Sequence, residues 1–187
     1  MFKGTVIAQI IAVVSSLFVA KIYGSEAYGI LSIFIGFSSI FSILNTFQLD
    51  NYIITSKNKI IRTNWFNFLF LLIPFTTFII ALIFFPIIIY FPEKNIDQNI
   101  FILVILSAIF LSYNKTHEYF LTTLKNFSAI SFAKILLVLI NVSLQFILYS
   151  KFKVNGLIYS SFLSLLLVTF FFSYKNIKHF KSVDFYN

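Results

Sequence analysis

Long apolar runs alternate with short polar interruptions along most of the chain. Six of these runs reach about the 20 residues that a helix needs to span a bilayer. They cover residues 5–23, 27–49, 65–91, 99–121, 128–150 and 154–173. The pattern predicts an all-α, polytopic membrane protein, with one bundle of six transmembrane helices over residues 1–173 and a basic cytoplasmic tail over residues 174–187.

The first interruption, KIYGSEAYGI at residues 21–30, is short. Gly24 and Gly29 permit a tight reversal, and Ser25 and Glu26 suit the first turn of a second helix. We therefore expect a helical hairpin with its tip here. A cleaved signal peptide is the alternative for residues 1–27, because SEA has small residues at the required spacing, although the apolar run is long for one.

Small residues recur every four positions on three runs, a spacing that lets helix backbones approach closely. The first run has Gly4, Ala8, Ala12, Ser16 and Ala20, the second has Ser32 and Gly36, and the sixth has Gly156, Ser160 and Ser164. We interpret these as packing faces. The third run has few small residues, among them Thr77, and is therefore predicted to lie at the lipid-exposed periphery. Its length and its two prolines, Pro74 and Pro86, predict a tilt or a kink.

Composition supports a bilayer environment and excludes several other classes of protein. Hydrophobic residues make up 59% of the chain and charged residues 11%, and the mean hydropathy is +0.94, so the chain cannot form a polar shell around a soluble core. The net charge of +8 comes from dispersed cations, which argues against nucleic acid as a partner. With no Cys and two distant His, no disulfide, metal site or cofactor is expected.

The distribution of the cations predicts an orientation with both termini in the cytoplasm. Of the 14 Lys and Arg residues, four fall on the outer side in that arrangement, and the other ten fall inside, as the positive-inside bias requires. The outer four are Lys21, Lys94, Lys151 and Lys153. The predicted location is therefore the inner (cytoplasmic) membrane.

Polar residues inside the fourth and fifth runs must face protein or water rather than lipid. At 100° per residue they form one stripe on each helix, which suggests the lining of a shared cavity. The fourth-run stripe contains Ser107, Asn114, Glu118 and Lys125, with His117 at its edge, and the fifth-run stripe contains Ser131, Lys134, Asn141 and Gln145. The alternative is ordinary hydrogen bonding between helices, with lysines extending to the inner interface.

Two segments resemble a known transporter family. Residues 20–58, AKIYGSEAYGILSIFIGFSSIFSILNTFQLDNYIITSKN, are similar to the opening helical hairpin of bacterial polysaccharide and O-antigen flippases, exporters of lipid-linked oligosaccharide related to multidrug and toxin extrusion transporters. The segments LTTLKNFSAISFAKILLVLINVSLQFILY and NGLIYSSFLS, within residues 121–164, resemble that family's fourth to sixth helices. Lys125 matches a basic position of the family's fourth-to-fifth connection, and Gly156 matches the Gly that opens its sixth helix.

The chain departs from this family in two respects. The family's second helix usually ends in an Arg-aromatic-Glu segment, whereas this chain has Gln48, Leu49 and Asp50, and only the acid is retained. The family also has two bundles of about six helices related by pseudo-symmetry, and this chain supplies one. It is therefore a truncated product, half of a split transporter, or a protomer that pairs with itself or with a second six-helix chain.

The resemblance implies translocation of a polyprenyl-pyrophosphate-linked oligosaccharide across the cytoplasmic membrane, for polysaccharide or O-antigen synthesis. Lys125 and Lys134 are the candidates for holding the anionic head group, with Asn141 as a further substrate-binding residue. Glu118, with His117, is the candidate sensor of a coupling proton, because a buried carboxylate and an imidazole both exchange protons near neutral pH. Asn114 and Asp50 complete the candidate polar groups. The alternative is that NKTHE, at residues 114–118, lies solvated at the inner interface.

Enzymatic functions are not expected. The sequence has no Gly-rich phosphate loop, no Ser-His-Asp grouping and no metal-ligand spacing. A membrane-embedded sugar polymerase or ligase is one alternative, but the predicted outer segments are too short for a catalytic loop. A membrane partner that stabilises another protein without transporting is the other alternative.

Overall fold

The computed structural model describes residues 2–90 and 98–180, and within these ranges the secondary structure is helical, with short turns and no strands. The helices are α1 (Phe2–Thr46), α2 (Asn51–Thr55), α3 (Lys59–Tyr90), α4 (Gln98–Thr123), α5 (Phe127–Phe152) and α6 (Asn155–Phe180). All except the five-residue α2 contain a segment long and apolar enough to cross a membrane. The predicted all-α class is confirmed for the described residues, and the apolar helices are compatible with a multi-pass membrane protein.

Gly24 divides α1 into two halves. Its backbone, at φ 80° and ψ 169°, is the point where α1 leaves the helical region, a conformation that glycine adopts without strain. The Tyr28 hydroxyl lies 3.4 Å from the Ser16 carbonyl oxygen, although twelve residues of straight helix would extend about 18 Å. The chain therefore reverses at Gly24, as predicted. The predicted role of Gly29 is wrong, because Gly29 lies within the helix.

Contacts along the first half of α1, residues 2–23, show that it runs parallel to α5. Near its start, Gly4 packs so closely on Ser131 that a Cβ atom would overlap that side chain. Near its end, the Tyr23 hydroxyl donates to the Gln145 carbonyl oxygen at 2.6 Å. Residue numbers therefore rise together on the two helices from one contact to the next, which means that the helices are parallel.

The second half of α1, residues 25–46, runs parallel to α4 and antiparallel to α3. The Ser38 hydroxyl lies 3.5 Å from the Val104 carbonyl oxygen. About two turns further along both helices, the Asn45 amide donates to the Ser112 hydroxyl at 3.3 Å. From α3, the Thr76 hydroxyl donates to the Asn45 carbonyl oxygen at 2.9 Å. Helix directions therefore alternate from one spanning segment to the next.

As a result, Phe2 and Phe180 lie at the same end of the bundle. We refer to it as the terminal end, which also contains α2, the start of α3 and the α4–α5 turn. The opposite end contains Gly24 and the α5–α6 turn. Helix α4 lies in the middle of the bundle, where it contacts α1, α2, α3, α5 and α6. Polar side chains on α4 consequently meet a different neighbour on each face.

Three helix boundaries extend beyond the predicted spans. Helix α3 begins six residues earlier than the third predicted run and continues through Pro74 and Pro86. Helix α4 extends two residues past the predicted end of the fourth run, to Thr123. Helix α6 continues to Phe180, so the first residues of the predicted tail are helical. The remaining tail, residues 181–187, lies outside the described residues, as does the predicted outer turn at residues 91–97.

The predicted packing faces are confirmed for α6 and for the start of α1, but the one on the second half of α1 is wrong. Gly156, Ser160 and Ser164 are buried, and a Cβ at Gly156 would lie 3.2 Å from the backbone of Leu148. Gly36, by contrast, is exposed and has no neighbour within 4 Å of a Cβ. This half of α1 instead turns its Ser and Asn side chains toward α4, because their hydroxyls and amides need partners there.

Helix α3 is only partly peripheral. Leu71, with 77% of its surface exposed, Phe75 and Phe78 form an outward face. Thr76 and Thr77 are buried, with the Thr77 hydroxyl donating to the Ile73 carbonyl oxygen at 2.7 Å. The expectation that Thr77 faces lipid is therefore wrong, because the hydroxyls of α3 lie on the face that packs in the bundle.

Candidate functional site

The polar stripes of α4 and α5 meet in an ion pair. The Lys134 ammonium lies 2.6 Å from Glu118 Oε1, and 30% of the Lys134 side chain and 25% of the Glu118 side chain remain exposed. Glu118 stands five residues before the end of α4, or about 7 Å inside the helix end at 1.5 Å per residue. The pair is therefore half-buried between two helices near the terminal end, where a solvent ion can reach it.

Lys125 lies outside the predicted stripe. Helix α4 ends at Thr123, and Lys125 has a left-handed backbone with φ 56°. Its N–H donates to the Thr122 carbonyl oxygen, and the Asn126 N–H donates to the Leu121 carbonyl oxygen, each at 3.0 Å. This is the Schellman arrangement that closes a helix, with Lys at the position usually taken by Gly. Lys125 is consequently exposed in the α4–α5 turn, and its role in substrate binding remains a prediction.

Asn114 fastens α4 to α6. Its side-chain amide donates to the Leu165 carbonyl oxygen at 3.3 Å, and its Oδ1 accepts from the Thr169 hydroxyl at 3.0 Å. Asn114 is buried, so these contacts are the interhelical hydrogen bonds of the alternative interpretation. They leave Asn114 occupied by α6 rather than directed at a cavity.

The α5 stripe faces mainly the first half of α1. Gln145 is buried and donates through its amide to Asn141 Oδ1 at 3.4 Å, while its backbone carbonyl accepts from Tyr23. Ser131 packs on Gly4. Asn141 is half-buried and lies two turns along α5 from Lys134, on the same face of the helix. Asn141 is therefore about 10 Å along α5 from the ion pair, and its Oδ1 is engaged by Gln145.

His117 is enclosed between α3, α4 and α6. Its side chain is fully buried, its Nδ1 accepts from the Asn176 amide at 2.9 Å, and its Nε2 lies 3.3 Å from the Ser173 hydroxyl. Aromatic rings from α3 and α6, including Phe66 and Phe172, pack on the imidazole. His117 therefore does not share an accessible surface with Glu118, since one residue along α4 turns the side chain by 100°.

Asp50 forms a second charged site, at the connection between α1 and α2. Only 5% of its surface is exposed. Burial raises the pKa of the Asp50 carboxyl, and the positive charge of Lys115, the backbone N–H groups of Asp50 and Asn51 and the Thr46 hydroxyl oppose that increase. The positive charge of Lys115 therefore partly offsets the cost of burying the Asp50 carboxylate.

Two groups near these charges were not identified from the sequence. Tyr119, half-buried on α4 next to Glu118, is close enough to both Asp50 and Glu118 for their charges to act on its phenol. Arg62, on α3, donates to the Thr123 carbonyl oxygen at the end of α4, at 3.5 Å. A cation at a helix C-terminus interacts favourably with the helix dipole. The sequence signal for Arg62 was an arginine just before the third apolar run.

A separate, neutral polar cluster joins the second half of α1 to α3 and α4. The Ser112 hydroxyl lies 3.2 Å from both the hydroxyl and the carbonyl oxygen of Ser42 and accepts from the Asn45 amide. Thr76 contacts Asn45 from α3. All four residues are buried. Their spacing on the second predicted run, with Ser38, Ser42 and Asn45 at intervals of four and three, was the sequence signal for this interface.

A surface depression of about 330 Å³ on the outer face of α3 is lined by Ile61, Asn64, Trp65 and Phe68. A second, of about 350 Å³, lies between α1 and α5 and is lined by residues that include Ile10 and Phe146. The Glu118–Lys134 pair joins α4 and α5, and the cavity between their stripes remains a prediction. The described residues also contain no group of three or more His, Cys, Asp or Glu suited to a metal ion.

Comparison of the chain with protein-family models, with curated proteins and with solved structures gave no match.

Proposed function

We propose that the protein is a transporter, or one half of a transporter, of the polysaccharide flippase type, which moves a polyprenyl-pyrophosphate-linked oligosaccharide across the cytoplasmic membrane. The similarity of residues 20–58 and 121–164 to that family supports the choice of substrate class. The bundle of apolar helices supports a location in the bilayer. The substrate carries an anionic pyrophosphate next to a lipid chain, so it needs a cation close to an apolar surface.

The Glu118–Lys134 pair is the observation that carries this proposal. Lys134 is half-buried in a spanning helix, yet part of its side chain is accessible. Charged groups at this depth are costly and generally serve a substrate or ion pathway. Lys125 in the adjacent turn and Asn141 two turns along α5 extend a polar surface from the terminal end into the bundle.

The distribution of cations supports a cytoplasmic terminal end. That end contains Arg62, Lys115, Lys125 and Lys134 and the exposed lysines of the α2–α3 connection, while the opposite end has Lys21, Lys151 and Lys153. Cytoplasmic segments carry the excess of Lys and Arg. Single cysteines at Ser25 and Asn155 should react with an impermeant thiol reagent in intact cells, whereas one at Asn58 should not. Labelling at Asn58 alone would reverse the orientation.

A non-transporting membrane partner is the second candidate, and the exposed face of α1 favours it. Gly29, Ser32 and Gly36 are exposed on the second half of α1, which leaves a small-residue ridge free for another helix. The same ridge also suits a second bundle of a complete flippase. An adjacent reading frame that encodes six further spans would favour the split transporter.

The decisive experiment removes the cations and measures glycan surface display. Lys125→Gln with Lys134→Gln, at equal protein level and with the cognate second half present, should reduce display by at least about tenfold, because the head group loses its cations. Lys151→Gln with Lys153→Gln is the matched control at the opposite end and should leave display unchanged. Normal display in the Lys125 and Lys134 variant would reject the proposed head-group site.

A further inference from the structure

We propose that Glu118 competes with the anionic head group for Lys134, so that anion binding requires the carboxylate to leave the lysine. The anionic ligand follows from the proposed function. The competition follows from the ion pair itself. Glu118 is then an internal inhibitor of the site to which it belongs.

The geometry leaves little room for both anions on one ammonium. The Lys134–Glu118 distance of 2.6 Å is that of a direct, charge-assisted hydrogen bond. A lysine ammonium is a compact point charge. A phosphate oxygen approaches this ammonium from its solvent-accessible side, next to the Glu118 carboxylate. Two negatively charged acceptors at that position repel each other, so the phosphate binds as Glu118 withdraws from the lysine.

Charges of both signs surround the pair. On α4, Lys115 lies one turn before Glu118, and its positive charge acts on Asp50 in the α1–α2 connection. The α4–α5 turn contributes the exposed Lys125, while α3 and α6 face His117 on another side of α4. Glu118 is therefore the negative charge that an incoming anion has to displace from Lys134.

The pair is weak enough to exchange. An ion pair with a quarter or more of each side chain exposed is screened by solvent, and such pairs contribute at most about 1 kcal/mol. A pyrophosphate, with more than one negative charge, can replace a single carboxylate at that cost.

Removal of the competing charge should therefore strengthen anion binding. Glu118→Gln keeps the length of the side chain but carries no negative charge, so it should bind the anion more tightly than the unmodified protein does.

The test measures binding of inorganic pyrophosphate to the purified full chain in lipid nanodiscs, by calorimetry at a single pH near 7. Glu118→Gln should bind roughly three- to tenfold more tightly than the unmodified protein. Lys134→Gln should lose binding. Glu26→Gln, at the exposed opposite end, is the matched control and should behave as the unmodified protein.

The outcomes separate the competition from the proposed function. Loss of binding in Lys134→Gln without tighter binding in Glu118→Gln would overturn the competition and leave the head-group site intact. Absence of binding in both the unmodified protein and Glu118→Gln would overturn both. Size-exclusion profiles establish folding, and Glu118→Asp provides a second variant if Glu118→Gln is unstable. Its shorter side chain keeps the charge but loosens the pair, so its affinity should lie between the other two.

Discussion

Helix α4 carries two polar regions that differ in burial and charge. Toward the second half of α1, Ser112 lies in a buried, neutral cluster with Ser42 and Asn45. Toward α5, Glu118 forms a charged pair with Lys134 that solvent can still reach. In an apolar solvent, neutral hydrogen bonds can be sealed between helices, whereas charges are kept where water or a ligand can reach them. A polar side chain in a spanning helix therefore indicates a functional site only when water or a ligand can also reach it.

A charge placed in the neutral cluster should have the largest effect. Ser112→Asp buries a carboxylate with no cation beside it in the cluster, which costs about 3 kcal/mol in the centre of a spanning helix. The expected result is a loss of folded protein in detergent, measured by size-exclusion yield and melting temperature. Ser128→Asp, at the exposed start of α5, is the control and should be neutral. Equal yields for both would remove the distinction between the two regions.

Two glycines extend the comparison from polar side chains to backbone contacts. Gly156→Leu should force α6 away from Leu148 and lower the stability by about 1–3 kcal/mol, because overpacking displaces the backbone. Gly36→Leu points away from the bundle and should be nearly neutral in the isolated chain. Melting temperatures in the same detergent provide the measurement. Substantial damage from Gly36→Leu would show that this face is covered.

The ion pair itself should contribute modestly to stability. A double-mutant cycle with Glu118→Gln and Lys134→Gln should give a coupling energy of about 1 kcal/mol or less, because the pair is partly exposed. Reversible unfolding in mixed micelles is the measurement. A coupling several times larger would mean that the pair holds α4 and α5 together, as the neutral cluster holds α4 to α1.

The smallest effect should come from Asp50, which is charged but buried. Since burial raises the pKa of Asp50 above 3.8, the folded state binds its proton more tightly than the unfolded state does. Its contribution to stability is therefore present below pH 3.8 and is lost as pH rises through the raised pKa. Asp50→Asn should stabilise the protein at pH 7 by less than about 1 kcal/mol and should lose that advantage in acid. A stabilisation independent of pH would contradict this assignment.

The sequence was sufficient to predict the spanning segments and the reversal at Gly24, because both depend on run length and on one glycine. It also placed Glu118 and Lys134 on facing stripes, although it did not pair them. Periodicity shows which residues share a face but not which neighbour that face meets. For this reason Gly36 was predicted to be packed, and His117 was grouped with Glu118 although it faces α3 and α6.

Lys125 shows a different limit. Extending the α4 stripe to Lys125 assumed that the helix continued to that residue. The helix instead ends two residues earlier, at Thr123, and Lys125 takes part in the Schellman arrangement that closes it. Glycine is the usual signal for that closure, and here the position is occupied by lysine, whose left-handed backbone no local pattern indicated. The cluster of Ser42, Asn45 and Ser112 was likewise visible only as scattered polar residues until the helices were placed side by side.

The reversal at Gly24 has a consequence for biogenesis. A single non-helical residue joins the two halves of α1, so a translocation machinery has almost no hydrophilic loop to move when this hairpin inserts. The tip is flanked by Lys21 and Glu26, whose charges cancel, and this lowers the cost of carrying it through the apolar layer. In the orientation proposed here, the hairpin can therefore enter the bilayer as one unit and form the first surface on which the later helices assemble.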